Sequence, residues 1–180
     1  EVSTLNRDLS NNADYLITDY ELDEEAQTIA VIDPRNIRHE TDYDSRGRTT
    51  LSIQDVNGLA QTSQVIYDAN SNTIEQRGPR YFSESINDRT VMTYTRRNKL
   101  SSTTVAAGSS IAATQFFTYY DDGRSKDSTD FKGNTSTNVW KLCCGRLGLT
   151  AGPTYTDKDG NQLRTVQTQQ QDYYGNVTHT

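Results

Sequence analysis

The stretch from Tyr43 to Gly58 constrains the fold of this chain more than any other. It opens with YDSRGR at residues 43–48, continues with the strand-like run TTLSIQ at 49–54, and ends at Asn57-Gly58. Glycine and asparagine reach positive φ at low cost, and an aspartate ahead of them accepts backbone N–H groups inside the turn. The stretch therefore predicts a unit made of a turn, a strand and a second turn.

Weaker copies of this unit recur along most of the chain. Tyr67, Tyr94 and Tyr119 each open a degenerate copy, so that the leading tyrosines lie 24, 27 and 25 residues apart. One such unit has no partner for its own apolar face, and the copies must therefore pair or stack. The repeat predicts an all-β fold: an antiparallel sheet of short strands, curved or spiralled, with little helix.

The repeat also predicts where the boundaries and turns lie. Residues 1–32 match poorly and are predicted to be a lead-in with one or two strands, whereas residues 33–180 form the repeat region of a longer chain. Asn57-Gly58 predicts a type I′ hairpin turn, and Tyr81-Phe82 predicts the start of a short strand. The turn residues that define the repeat are Tyr43, Asp44, Gly47, Arg48, Asp55, Gly58, Tyr67, Asp68, Tyr119, Gly123, Asp130, Gly133, Asp157, Gly160, Asp172 and Gly175.

These residues resemble the YD repeat, also called the RHS repeat. The resemblance rests on YDSRGR at 43–48 and on Tyr67-Asp68, with degenerate matches at Tyr94 and Tyr119, and it covers roughly residues 33–180. It implies long β-sheets spiralled into hollow shells, as in bacterial polymorphic toxins, insecticidal toxin complexes and the teneurins of animals. In the toxins the shell encloses a C-terminal toxic domain, and a self-cleaving aspartate protease motif follows the repeats. Nothing in this chain matches that motif, so no catalytic residue is carried over.

The resemblance leads to a non-enzymatic interpretation. We expect a structural segment of a secreted or cell-surface protein, whose partner is the rest of the same polypeptide or a C-terminal cargo domain. The net charge of −6 opposes nucleic-acid binding, and no apolar run approaches the ~20 residues of a membrane helix. Because an isolated segment has unpaired sheet edges, self-association is also expected.

Two alternatives stay open. In the first, exposed Trp140 and Tyr119 stack on sugar rings and the chain is a carbohydrate-binding surface module, although packing of one sheet layer against the next is the favoured explanation of these aromatic side chains. The second and weaker alternative is a glycan-active enzyme, since cross-strand carboxylate pairs are invisible in a sequence. The turn motifs already account for nearly every aspartate.

No cofactor is predicted. Asp157 and Asp159, just before Gly160, resemble the start of a calcium loop, but Thr168 stands where an EF-hand needs its twelfth-position glutamate. Weak Ca²⁺ binding there stays open beside the simpler interpretation of an Asp-Gly turn. Adjacent cysteines form only a strained bridge, so Cys143 and Cys144 are predicted to be two reduced side chains.

Overall fold

The computed structural model describes residues 16–84, 86–140, 147–168, 170–171 and 177–179, which form short strands and one short helix. The elements in chain order are β1 (Asp19–Leu22), β2 (Thr28–Ile32), β3 (Arg38–Tyr43), β4 (Thr49–Gln54), β5 (Gln61–Tyr67), β6 (Thr73–Arg77), α1 (Pro79–Ser83), β7 (Arg89–Tyr94), β8 (Leu100–Val105), β9 (Ala113–Tyr119), β10 (Ser125–Thr129), β11 (Thr135–Trp140), β12 (Leu147–Thr156), β13 (Gln162–Thr168), β14 (Gln170–Gln171) and β15 (Val177–His179).

The chain divides into two compact units, the first ending at Arg89 and the second beginning at Thr90. In the first unit, β1 to β6 pair in sequence order, each antiparallel to the next. In the second unit, β7 to β13 do the same, and β14 pairs separately with β15. The predicted all-β antiparallel fold with little helix is confirmed, whereas its curvature stays a prediction.

The strands of the first unit present two chemically different faces. Side chains alternate between faces along a strand, and directly paired residues share a face. One face has a row of small hydroxyl side chains, because Thr41 pairs with Ser52 and Ser52 pairs with Ser63. The opposite face has ion pairs, in which Arg38 contacts Glu21 at 2.6 Å and Glu40 at 2.7 Å.

Hydroxyl groups also link the strands of the second unit. Thr104 and Thr114 lie 2.9 Å apart across β8 and β9, and Thr118 on β9 donates to the Asp127 carboxylate at 2.8 Å. Threonine suits this role because its branched side chain fits the pleated surface while its hydroxyl bonds to a neighbour.

The two units have thin cores. Among the described residues, the buried apolar side chains are those of Ala30, Ala107 and Ala151, and no large side chain is fully buried. Large apolar groups such as Phe116, 51% exposed, and Val166, 53% exposed, remain open to solvent. Backbone pairing and cross-strand contacts therefore contribute more to these units than burial of a central core.

Two local predictions are wrong. The loop between β4 and β5 spans residues 55–60, and positive φ falls on Asp55 (53°) and Ala60 (46°) rather than on Asn57-Gly58. A six-residue loop forms instead of the type I′ turn, and the Asp55 carbonyl closes it by accepting both the Gly58 and the Ala60 N–H groups. Tyr81-Phe82 lies in α1 instead of a strand, because Pro79 at the first helical position favours a helical start.

Several sequence features lie partly or wholly outside the described residues. Of the predicted lead-in, the described part contains β1 and β2, and residues 1–15 are outside it. Cys143 and Cys144 lie outside the described residues, as do Asp172 and Gly175. No described helix is long and apolar enough to cross a membrane.

Candidate functional site

The most regular feature of the molecule is a five-residue turn that joins successive strands. In each copy the N–H of position 1 donates to the carbonyl of position 5, and the N–H of position 4 donates to the carbonyl of position 1. This is a type I turn followed by a left-handed residue, a common three-residue hairpin loop. In the described chain the turn occurs at residues 23–27, 33–37, 44–48, 68–72, 95–99, 120–124, 130–134 and 157–161.

Position 4 always has positive φ. Glycine occupies it at Gly47, Gly123, Gly133 and Gly160, where φ lies between 73° and 86°. The remaining copies have other residues there, with φ between 57° and 70°: Ala26, Asn36, Ser71 and Asn98. Ala26 has no glycine or asparagine signal, which is why the sequence did not reveal the turn at 23–27.

In every described turn except 120–124, which begins with Tyr120, the side chain of position 1 closes the turn. Asp44 Oδ1 accepts the N–H groups of Arg46 at 2.9 Å and Arg48 at 3.1 Å, and the same pair of bonds recurs in the other turns that begin with aspartate. Those turns begin at Asp23, Asp33, Asp68, Asp130 and Asp157. Thr95 makes both bonds with its hydroxyl, at 3.3 and 3.2 Å.

Five of these six aspartates have lowered pKa values and are held as carboxylates: Asp33, Asp44, Asp68, Asp130 and Asp157. The Arg48 side chain, bonded to Asp44 Oδ2 through Nε at 2.7 Å, lowers the pKa of Asp44 to about 2. The side-chain amides of the position-5 asparagines Asn72, Asn134 and Asn161 lower the pKa values of Asp68, Asp130 and Asp157. Both carboxylate oxygens of Asp157 accept hydrogen bonds from its own turn. The described residues contain no group of three acidic, histidine or cysteine side chains placed to hold a metal.

In each unit a cationic side chain joins one turn to a later one. The position-3 residue Arg46 donates to the carbonyl of Ala69, position 2 of the following turn, at 2.8 Å. In the second unit the position-3 residue Arg97 donates in the same way to the carbonyl of Asp121, again position 2. The same contact is therefore made once in each unit.

Position 5 makes a second link between turns. The Arg48 guanidinium lies 4.3 Å from the ring centroid of Tyr67, the tyrosine that precedes the next turn. Lys99 Nζ lies 5.4 Å from the ring centroid of Tyr119, its counterpart in the second unit. A cation over the face of a tyrosine is attracted by the ring's quadrupole, so these pairs connect neighbouring hairpins.

The leading tyrosines also bond to the backbone of a neighbouring strand. The Tyr43 hydroxyl donates to the carbonyl of Thr28 at 3.0 Å, and the Tyr119 hydroxyl donates to the carbonyl of Leu100 at 2.8 Å. Each tyrosine thus places its ring beside a turn and its hydroxyl on the adjacent strand.

The two candidate sugar-stacking residues are both half-buried and already engaged. Trp140 Nε1 donates to the carbonyl of Ser125 at 2.8 Å, and the Arg124 guanidinium lies 5.3 Å from its ring centroid. Tyr119 has Lys99 over its ring, but it also lines an open groove. The structure does not bring the two aromatic side chains into contact with each other.

Asp55 and Gly58 differ from the other predicted turn residues. Their loop contains six residues, 55–60, and Asp55 Oδ2 accepts the Leu59 N–H at 3.0 Å. A Cβ atom on Gly58 would lie only 2.2 Å from that oxygen, so a side chain there would displace the Asp55 carboxylate from its bond to Leu59. His39 faces the same loop, with Nδ1 accepting the Asp55 N–H at 3.3 Å.

A groove runs between consecutive turns in each unit. In the first unit a groove of about 560 Å³ lies between turns 23–27 and 44–48, and its lining includes Asp23, Glu25, Asp42 and Asp44. In the second unit a groove of about 240 Å³ lies between turns 95–99 and 120–124, and its lining contains three cationic side chains, Arg96, Arg97 and Lys99. The turn residues therefore decide the charge of each groove.

Comparison with known proteins finds similar structures but no similar sequences. The chain matches no family model and no curated protein sequence. The crystal structure of TcdB2-TccC3-Cdc42 aligns with 89% of this chain at a TM-score of 0.62 and 12% identity. The Tc holotoxin pore of Photorhabdus luminescens aligns with 83% of it at a TM-score of 0.50 and 16% identity.

The fold is shared with Tc toxin components. This chain spans 9% of the length of each of those chains, and at such low identity the likeness shows a common fold alone. The antiparallel strand arrangement of the structure agrees with the one that the repeat pattern predicts.

Proposed function

We propose that this chain is a non-catalytic scaffold segment of a secreted or cell-surface RHS/YD-repeat protein. It contributes to a β-shell that encloses or presents a C-terminal, toxin-like domain in the same polypeptide. The observation that carries the proposal is the repeated link between turns, in which Arg46 reaches Ala69 and Arg97 reaches Asp121. In a wall built by adding hairpins, such a contact strengthens the backbone pairing between neighbouring hairpins.

The state of the carboxylates supports a structural role. A general acid needs a raised pKa and a free oxygen near its substrate. Asp44, Asp68 and Asp130 instead have lowered pKa values and use their oxygens to bond the N–H groups of their own turns. These carboxylates therefore act as hydrogen-bond acceptors that close their turns.

The fold shared with Tc toxin components supports the proposal that this chain contributes to a β-shell. Tc toxin components align with most of this chain, yet the chain spans 9% of their length. A piece of that size has too few strands to surround a domain, so the enclosing role belongs to the longer protein that this segment helps to build.

The test is limited proteolysis of the complete protein encoded by the reading frame that contains this chain. The domain that follows the repeats is expected to be cut much more slowly within the complete protein than when produced alone. The double variant Arg46→Ala/Arg97→Ala, which removes both turn links, should make it more accessible. Lys158→Ala, an exposed lysine at position 2 of a turn, serves as the control.

Equal cleavage of that domain in both settings, or a reading frame with no further domain, overturns the enclosing role. No change with the double variant, when the domain is protected, overturns the contribution of these turn links.

Carbohydrate binding is the alternative proposal, and the position of Tyr119 in an open groove favours it. Glycan-array binding that is lost in Tyr119→Ala or Trp140→Ala, with the fold preserved in circular dichroism, would support this function. Absence of binding by the unmodified chain would remove it.

A further inference from the structure

The groove between turns 95–99 and 120–124 differs from the remainder of this acidic chain. Arg96, Arg97 and Lys99 contribute three positive charges to its lining, and Asp121 contributes one carboxylate. The protein as a whole has a net charge of −6. A local excess of positive charge in a concave site concentrates anions there, even when the net charge is negative.

The positive charge arises from two differences between this turn and turn 44–48: Thr95 replaces an aspartate at position 1, and Arg96 replaces Ser45 at position 2. In turn 44–48, Asp44 at position 1 both closes the turn and pairs with Arg48. In turn 95–99, Thr95 makes the same two backbone bonds but brings no charge. Arg96, Arg97 and Lys99 consequently lack an acidic partner in their own turn, and none of them forms an ion pair with another described residue.

Two of the three cations are held in place. Arg97 is anchored by its bond to the carbonyl of Asp121, and the stem of Lys99 lies against Gly123, where an added Cβ would be 3.0 Å from Lys99 Cε. Nearby Asp122 is engaged by Arg124 through Nε at 2.7 Å. The groove therefore has positioned donors whose charge the neighbouring turn leaves largely uncompensated.

We propose that this groove binds an oxyanion of the sulfate or phosphate type. Guanidinium groups match the oxygens of such anions with paired N–H donors, and a lysine adds a mobile point charge. The volume of about 240 Å³ accommodates one such group, and the Tyr119 ring provides an apolar wall beside it. The anion comes either as a free ion or attached to a sugar, and both forms present the same oxygens.

The test is isothermal titration of the intact chain with inorganic pyrophosphate, inorganic sulfate and a sulfated disaccharide at low ionic strength. Saturable binding near one equivalent is expected, weakening as salt is added because exposed charges are screened. Arg96→Gln should weaken it by about fivefold, the upper range for one exposed charge pair. Lys158→Gln is the matched control, since it removes a cation from position 2 of another turn and should leave binding unchanged.

Thr95→Asp distinguishes loss of the site from loss of the fold. It restores the residue found in six of the described turns, so the turn should form equally well. Its carboxylate halves the net positive charge of the lining from +2 to +1 and should weaken binding more than Arg96→Gln does, because it lies within the same turn as the three cations. Wild-type affinity in Thr95→Asp, an equal loss in Lys158→Gln, or no saturable binding of any probe overturns the proposal.

The three probes also identify the source of the anion. Tighter binding of the sulfated disaccharide than of inorganic sulfate, with no binding of its desulfated form, assigns a sugar-borne group. Equal affinities assign the free ion. The proposal does not depend on the scaffold role, since proteolysis of the complete protein tests that role separately.

Discussion

At the scale of single residues, position 4 of the turn sets a steric requirement and position 1 sets an electrostatic one. An L-residue with a side chain pays about 1–2 kcal/mol to adopt the left-handed conformation, yet Ala26 and Ser71 adopt it. The requirement comes from the two backbone bonds that close the turn, which fix the conformation whatever residue is present. Glycine at position 4 lowers the cost of a geometry that the hairpin already needs.

The first prediction concerns position 4. Gly133 has φ of 86° and no atom within 4 Å of an added Cβ, so Gly133→Ala should destabilise the chain by about 1–2 kcal/mol through backbone strain alone. Gly123→Ala should cost more, because Lys99 Cε lies 3.0 Å from the added Cβ. Urea denaturation followed by circular dichroism measures both, and equal losses would contradict the steric part of the argument.

The reverse change provides the second prediction. Ala26→Gly relieves strain at φ of 63° but increases the freedom of the unfolded chain, so we expect a net gain below about 1 kcal/mol. Ala69→Gly, at position 2 of turn 68–72, relieves no backbone strain and should destabilise the chain slightly. A loss of stability in Ala26→Gly as large as that in Ala69→Gly would show that position 4 is not strained there.

The third prediction concerns acid stability. The Arg48 side chain lowers the pKa of Asp44 from 3.8 to about 2, so the folded state binds this proton less readily than the unfolded state. The resulting stabilisation is complete above pH 3.8 and is lost as the pH falls toward 2. In Asp44→Asn the loss of stability across that range should be smaller than in the unmodified chain, as measured by thermal melts at a series of pH values. Asp42→Asn, an exposed strand residue nearby, is the control.

At the scale of elements, neighbouring strands are joined by tyrosine hydroxyl groups as well as by the backbone ladder. Tyr43 on β3 reaches Thr28 on β2, and Tyr119 on β9 reaches Leu100 on β8. Since the described part of the chain has few buried side chains, such bonds matter more here than in a protein with a thick core.

The fourth prediction follows from this bond. Tyr43→Phe keeps the ring beside the turn but removes the donor to the Thr28 carbonyl, so we expect a loss of about 0.5–1.5 kcal/mol. Tyr20→Phe, in a side chain that is 64% exposed, should be neutral. If both changes have the same effect in urea denaturation, the hydroxyl bond does not stabilise the pairing of β2 with β3.

The spacing of tyrosine, aspartate and glycine was enough to predict the fold class, because one turn chemistry recurs and fixes one connection geometry. The prediction was wrong where different physics applies. Residues 55–60 form a wider loop closed by the Asp55 carbonyl, and α1 begins after Gly78 because Pro79 favours a helical start.

The candidate groove was less predictable. Its charge depends on which turns are spatial neighbours, and sequence spacing does not supply that information. The sequence nevertheless contained a signal. Thr95 occupies the position that Asp44 has in the leading copy, and three cations follow it: Arg96, Arg97 and Lys99. Aligning the turns position by position would have identified the missing carboxylate.

At the scale of the whole molecule, the strands that have a neighbour on one side only determine how the protein can associate with other chains. In the first unit β1 pairs with β2 alone, and in the second unit β13 pairs with β12 alone, among the described strands. A strand with one unpaired side offers free N–H and C=O groups to other chains. Two of the four β1 side chains favour such pairing, since Tyr20 and Leu22 are 64% and 53% exposed.

The last prediction is that the isolated chain self-associates through β1. Sedimentation velocity should show larger species as the concentration rises, and Tyr20→Lys/Leu22→Lys should shift the distribution toward the monomer, because lysine on an edge strand repels a second edge and must be desolvated to pair. Leu59→Lys adds a lysine at an even more exposed apolar residue, 77% exposed, that lies in a loop. If Leu59→Lys reduces association as much as the double variant, association depends on general surface hydrophobicity and not on the strand edge. If only the double variant acts, the unpaired edge of β1 is the surface through which the isolated chain associates.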